Sequence, residues 1–261
     1  MFFFPFRDDN PTRARPLISH ILLGLCVLLF FWQVSLGAAQ REAVLAFGMI
    51  PARLFGSDAA YGLPTVIPAW MTTISSMFLH GGFMHLAGNM LYLWIFADNV
   101  EDSIGRAKFI VFYVLCGIAA ALTQAMVDIH SAVPMIGASG AIAGVLGAYL
   151  LLHPRANIRC LVGFFIFFRT VNVPAFLVLG GWIALQFMSL GQIDSNVAYL
   201  AHIGGFVAGM ALIPFFKKPH VRLFDRPLSR AFEVTPVRRG GHIPQIGQSR
   251  NTKSKTGPWE K

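Results

Sequence analysis

Residues 17–37 read LISHILLGLCVLLFFWQVSLG, a run without a single Asp, Glu, Lys or Arg. An apolar run of roughly 17–25 residues is what crosses a bilayer as a helix. Arg7, Arg13 and Arg15 precede it, as charges precede a signal peptide, but a signal peptide carries a shorter apolar part of about 7–15 residues ending in a small-residue cleavage site. The run therefore reads as a retained membrane helix. Similar runs follow along the chain: about Thr73 to Phe96, Phe109 to Val127, a stretch after Pro134 ending near His153, Pro174 to Leu190, and Val197 to Phe216.

Composition agrees. The 261 residues are 55% hydrophobic and 13% charged, with 24 Phe and a mean hydropathy of +0.60, whereas a soluble chain carries about a quarter charged residues. The net charge of +9 does not imply a nucleic-acid partner, because 11 of the 21 Lys and Arg lie after Phe216 in a polar tail and the others sit between apolar runs. Cys26, Cys116 and Cys160 form no disulfide framework and read as small apolar core residues. No repeat of about 20–50 residues is present.

The expected fold is all-α: a polytopic bundle of six transmembrane helices. Cytoplasmic loops carry the excess of Lys and Arg. With the N-terminus inside and six crossings, the inside segments hold 19 of these residues and the outside segments only Arg41 and Arg53. Both termini are expected to be cytoplasmic. The short apolar segment Cys160 to Phe168, bracketed by Arg159 and Arg169, cannot span and is expected in the interface. The chain divides into a cytoplasmic segment 1–16, a membrane domain 17–216 whose first outer loop covers about 38–69, and a basic tail 217–261. That tail has too little apolar content to build a core and is expected to be disordered.

Polar residues inside membrane helices are costly and mark functional sites. The candidates are His80, His85 and Asn89 in the second run, Ser139 at the head of the fourth, and His202 in the sixth. These runs all enter from the outer face, and at about 1.5 Å per residue Ser139 and His202 lie within roughly 10 Å of the outer boundary. Ser139 sits in Ile136-Gly-Ala-Ser-Gly-Ala141, at a helix start whose unpaired N–H groups favour negative charge. Gly137 flanks the serine, Gly140 and Gly144 form one small-residue ridge, and Gly205 and Gly209 form another. Two such ridges let helix backbones approach closely, which would bring Ser139 and His202 together as nucleophile and general base. His85 and Asn89, four apart, share a helix face and could donate to an oxyanion. His80 points elsewhere and reads as structural. A metal site built on His80, His85 and His202 lacks the H-E-x-x-H pattern, so no metal is expected. No Asp or Glu lies near His202, and a dyad is expected, its imidazole oriented by packing or by a backbone group.

These residues resemble the rhomboid family of intramembrane serine proteases. His80-x4-His85-x3-Asn89 is similar to the family's H-x4-H-x3-N on its second helix, Gly137-Ala138-Ser139-Gly140 to its G-x-S-G, and Ala201-His202 with Gly205 and Gly209 to its A-H-x-x-G-x-x-x-G. Glu101, Gly105 and Arg106 resemble its charged turn. The likeness runs from about Leu17 to Phe216. It implies that Ser139 is the nucleophile and His202 the base, and that His85, Asn89 and the Ser139 N–H receive the oxyanion. It implies substrates that are single transmembrane helices, cut near the outer face at a small residue, without metal or cofactor. Two positions depart from the pattern. Met71 and Thr72, beside Trp70, stand where many members have Trp-Arg, and Ala143 stands where some have a Tyr that stacks on the histidine.

Two other functions fit such a chain. A rhomboid-like protein without activity would bind membrane clients, but such relatives lack the serine or the histidine. A small transporter or channel would want charges or broken helices near the midplane, and these are missing. A multi-pass protein of a bacterial inner membrane is expected, with the lipid bilayer and transmembrane substrates as partners and no nucleic acid.

Overall fold

A helix in lipid is apolar all round and turns its small and polar residues toward its neighbours. The helix α1 (Leu17–Ser35) does this: Ser19, Leu22, Cys26, Phe30 and Gln33 are buried, while Leu25, Leu28 and Phe31 face outward. The computed structural model describes residues 2–164, 167–190, 197–225, 231–232 and 234–235. Two short helices, α2 (Gln40–Phe47) and α3 (Pro51–Leu54), lie in the long first loop, and α4 (Thr72–Ser75) closes it. The bundle continues with α5 (Phe83–Ile104), α6 (Arg106–Ala125), α7 (Ser139–Leu152), α8 (Ala175–Met188) and α9 (Tyr199–Phe216). Of these, α1, α6 and α9 are long and apolar enough to cross a membrane, and α7 and α8 are shorter apolar helices.

The helix α7 is the centre of the molecule. Every residue from Gly140 to Tyr149 is buried, and α5, α6, α8 and α9 all pack against it. The three cysteines are buried and free.

The second helix begins later than its apolar run. Residues 72–78 form short helical turns, Gly81 and Gly82 interrupt them, and α5 starts at Phe83. His80 therefore lies in a loop and not on the helix that carries His85. The loop is held from α1: the Gln33 amide donates to the His80 carbonyl (2.8 Å) and accepts from the His80 N–H (3.1 Å). At the other end of α5, the buried Glu101 carboxylate accepts from the Ile18 and Ser19 N–H groups (3.0 and 2.8 Å) and from the Ser19 hydroxyl (2.7 Å). A carboxylate on the first turn of α1 satisfies donors that the helix itself cannot.

The fold is mostly helical, as expected of a helical membrane bundle, but it is not purely so. A four-stranded antiparallel sheet, in the order β1 (Phe2–Asp8), β2 (Asn157–Phe164), β3 (Phe167–Pro174), β4 (Val234–Thr235), closes one end of the bundle. The apolar segment expected in the interface, Cys160 to Phe168, falls in strands β2 and β3 apart from residues 165–166, which lie outside the described residues. Ile158 and Cys160 point inward and Arg159 outward, the two-residue period of a strand. Backbone pairing with the neighbouring strands satisfies the donors and acceptors of a segment too short to span. Pro5 sits on the edge strand beside a register shift between Pro5 and Arg7, where a missing N–H is tolerated. Residues 217–225, expected to begin a disordered tail, instead hydrogen-bond to the bundle: Lys218 N–H to the Ser103 carbonyl (3.0 Å), Phe224 N–H to Leu151 (2.8 Å) and Asp225 N–H to Leu152 (2.9 Å). Most of residues 226–261 lie outside the described residues.

Candidate active site

Two glycine ridges meet between α7 and α9. A Cβ on Gly205 would collide with the Gly140 carbonyl oxygen, and one on Gly209 with the Gly144 carbonyl oxygen. Contact this close needs hydrogen in place of a side chain at Gly205 and Gly209, whereas a Cβ on Gly140 or Gly144 would run first into Ala120 or Cys116 of α6. It sets the distance between the first turns of the two helices, where Ser139 and His202 stand. The half-buried Ser139 hydroxyl lies 2.8 Å from His202 Nε2.

The sequence left the His202 imidazole to be oriented by packing or by a backbone group; ring packing is present, and a side chain holds the other edge as well. Gln186 Oε1, on α8, lies 2.7 Å from His202 Nδ1. Trp182, one turn earlier on α8, lays its ring against the imidazole at 5.7 Å between centroids, and Tyr199 meets it edge-on at 6.5 Å. These rings flank His202 while Ala143 is buried in the core of α7. Gln186 did leave a signal in the sequence, as the one amide in the fifth apolar run, and an amide there needs a partner.

Ser139 opens α7 and the Ile142 N–H bonds to the carbonyl of Ala138, the residue before the helix (3.0 Å), so the N–H groups of Ser139, Gly140 and Ala141 come before the helix's own ladder. Gly137 just before it has φ +126°, a conformation that L side chains rarely adopt, and a Cβ there would come within 2.8 Å of His85 Nε2. The Gly137 N–H donates to the Ser76 carbonyl (2.8 Å), tying this turn to the loop before α5.

His85 is placed beside that turn. The Gly81 N–H donates to His85 Nδ1 (3.3 Å), which leaves Nε2 as the N–H of the neutral ring. The Nδ2 of Asn89, on the next turn of α5, donates one hydrogen to the His85 carbonyl (3.0 Å) and keeps a second. His80, fully buried, packs its ring edge-on against His85 at 5.3 Å. Ser139, His202, His85, Asn89, Trp182 and Gln124 all line one cavity of about 1230 Å³. The first loop is fastened beside it by paired bonds between Met49 and Met135 (3.1 and 2.8 Å) and a bond from Ala52 N–H to the Ser131 carbonyl (3.0 Å). These backbone bonds need neither of the residues that Met71 and Thr72 replace.

Comparison with known proteins bears on this geometry. The family model described as the rhomboid domain matches residues 68–219, more than half of the chain and the part that holds every residue of the cavity's polar cluster. The chain belongs to the rhomboid family. Rhomboid protease GluP of Bacillus subtilis is 27% identical over 219 residues, which is 84% of this chain and 38% of that protein. YdcA of the same organism, named for the same family, is 30% identical over 204 residues, 77% of this chain and 88% of its own length. The rhomboid family also holds members named as inactive: Inactive rhomboid protein 1 of Drosophila melanogaster is 23% identical over 146 residues, 54% of this chain and 9% of that protein. This rhomboid chain thus spans less than half of two of these proteins and most of the third. Its family membership and its apolar helices make it an integral membrane protein.

Proposed function

We propose that this chain is an intramembrane serine endopeptidase that cuts peptide bonds in or near the transmembrane helices of other membrane proteins. The observation that carries the reading is the 2.8 Å approach of the Ser139 hydroxyl to His202 Nε2 inside a cavity with polar donors. His202 takes the proton from Ser139 as the oxygen attacks the scissile carbonyl, then gives it to the leaving amine. The developing oxyanion is received by the Ser139 N–H at the start of α7, by His85 Nε2–H and by the second hydrogen of Asn89 Nδ2. Water entering by the cavity then releases the acyl group through the same base.

In this reading α1, α5, α6, α7, α8 and α9 are the six spans and both termini are cytoplasmic. The asymmetry of Lys and Arg supports it, and so does the presence of Arg7, Arg159 and Arg169 on the sheet at one end. With 14 residues, α7 is about 21 Å long against a hydrocarbon core of about 30 Å. Its C-terminal end is held at the sheet, so Ser139 is recessed below the opposite surface. A substrate helix hides its carbonyls in its own hydrogen bonds and must unwind before it can be attacked, which favours cleavage where small residues weaken it. The charge bias and the similar Bacillus proteins support a bacterial inner membrane. The competing reading, a client-binding protein without activity, is weakened by the retention of Ser139, His202, His85 and Asn89 together.

The test is cleavage of a single-span reporter substrate in proteoliposomes. The purified protein is expected to cut it, and Ser139→Ala is expected to leave it intact while keeping the same helical content. Cleavage by Ser139→Ala at the wild-type rate would refute the mechanism.

A further inference from the structure

A neutral imidazole can carry its proton on either nitrogen, and only one arrangement lets it act as a base toward Ser139. His202 Nε2 must present a lone pair to the hydroxyl, so the proton must sit on Nδ1. In serine hydrolases that use a third residue, a carboxylate imposes this choice. No carboxylate reaches His202 among the described residues.

The bonds around Gln186 make the choice instead. Gln186 Nε2 donates to the carbonyl of Trp182, its own helix neighbour four residues back, at 3.2 Å. A carbonyl oxygen can only accept, so the nitrogen of the amide must face it and the oxygen must face away. That oxygen lies 2.7 Å from His202 Nδ1. An amide oxygen can only accept as well, so Nδ1 must hold the proton. Nε2 is then the unprotonated nitrogen, and it lies 2.8 Å from Ser139 Oγ. Polarity is thus transmitted without a free choice from the backbone of α8 through Gln186 and His202 to the serine. Gln186 and His202 are both buried, which shields the bond between them from bulk water.

From this geometry we propose that Gln186 is a positioning residue for the Ser139–His202 pair, setting the tautomer and tilt of His202 as the third member of a Ser-His-Gln relay. The proposal rests on the protease reading given above. A neutral amide suits the place. A carboxylate at this depth would be an unpaired charge in a low-dielectric setting whenever His202 is neutral, whereas the amide is satisfied at both ends in the resting state. When His202 becomes an imidazolium, the same bond becomes charge-assisted and strengthens. Trp182 and Gln186, four residues apart, share one face of α8: the ring of one and the amide of the other fix the plane and the edge of the imidazole together.

Two measurements test the proposal. The first uses the wild-type chain in detergent with 15N-labelled histidine, the His202 resonances being assigned by their loss in His202→Gln. The proposal requires a protonated, pyrrole-like Nδ1 and a pyridine-like Nε2 at neutral pH. A protonated Nε2 would overturn it, whether or not the Gln186 variants fold. The second is steady-state cleavage of the reporter substrate. Gln186→Met, similar in length and unable to hydrogen-bond, is expected to lower kcat roughly 10- to 100-fold, the range for a hydrogen bond to a charged group. KM should change less than about twofold, because Gln186 stands behind His202 and does not line the cavity. Gln186→Glu, whose carboxyl burial keeps protonated, can still donate to the Trp182 carbonyl and accept from Nδ1–H as the amide does, and should recover most of the lost rate. Unchanged kcat in Gln186→Met would overturn the proposal, as would equal losses in the Met and Glu variants. If the wild-type chain neither cut the reporter nor reacted with a serine-directed probe, the protease reading would fail, while the 15N measurement would still decide whether Gln186 sets the tautomer.

Discussion

Gly209 lies about two turns below His202 on α9 and touches only backbone across the interface. A methyl group there would overlap the Gly144 carbonyl oxygen and sit 2.7 Å from the Gly144 Cα. Carbon atoms rest comfortably at about 3.5–4.0 Å, so in Gly209→Ala the two helices must part by about 1 Å. No flexible side chain can move aside, because the obstacle is the main chain of α7. Overpacking of this kind costs about 1–3 kcal/mol. The larger effect falls on chemistry: a separation of about 1 Å lengthens the 2.8 Å approach of Ser139 to His202, and a misplacement of that size can cost on the order of 10²-fold in rate. The assay is cleavage of the reporter substrate, with thermal unfolding in detergent measured in parallel. Gly180→Ala is the control: a Cβ there meets nothing within 4 Å, so activity should stay at the wild-type level. Full activity in Gly209→Ala at an undiminished melting temperature would refute the idea that close backbone packing sets the geometry of the pair.

Other perturbations have different signatures. Asn89→Ala removes one donor toward the oxyanion and is expected to lower kcat by about 10²–10³-fold without abolishing turnover; loss of stability with kcat unchanged would make Asn89 purely structural. Glu101→Ala leaves the Ile18 and Ser19 N–H groups at the start of α1 without their acceptor and is expected to cost at least about 3 kcal/mol, read from unfolding in detergent. On β1, burial pushes the Asp8 carboxyl up from 3.8 to about 7, against the opposing hydrogen bond from Tyr149. The folded chain then holds a proton that the unfolded chain has released between about pH 4 and pH 7, so stability falls as pH rises through that window. The loss is on the order of 4 kcal/mol. Asp8→Asn should flatten the profile, and an unchanged slope in that variant would show that another group is responsible.

The polar cluster was more legible than the architecture around it. Ser139 and His202 stand out because each is a reactive side chain in an apolar run beside a small-residue ridge, and ridge spacing is a local property of sequence. Gln186 and Gln33 carry the same kind of signal, an amide where lipid offers no partner. What each bonds to depends on which helices become neighbours, and that is not a local property. The sheet was hidden for a similar reason. Residues 158–160 do alternate inward, outward and inward, but strand β1 that pairs with this segment lies some 150 residues earlier, and a short apolar segment in a membrane chain is first judged against the length of a span. The late start of α5 follows from Gly81 and Gly82, which break the helix although the apolar run continues through them. Glu101 looked like part of a charged turn; its partners lie on α1, more than 80 residues away.

The central claim is that Ser139 is activated by His202. The most direct test is labelling of the detergent-solubilised protein with a fluorophosphonate probe, wild type beside Ser139→Ala and His202→Ala. Labelling of the wild type alone is the expected result, because only a serine whose proton can be taken by the neighbouring imidazole reacts at a useful rate. Equal labelling of His202→Ala, or a folded wild type that takes no label and cuts no reporter, would contradict the claim and turn the search toward bound membrane clients.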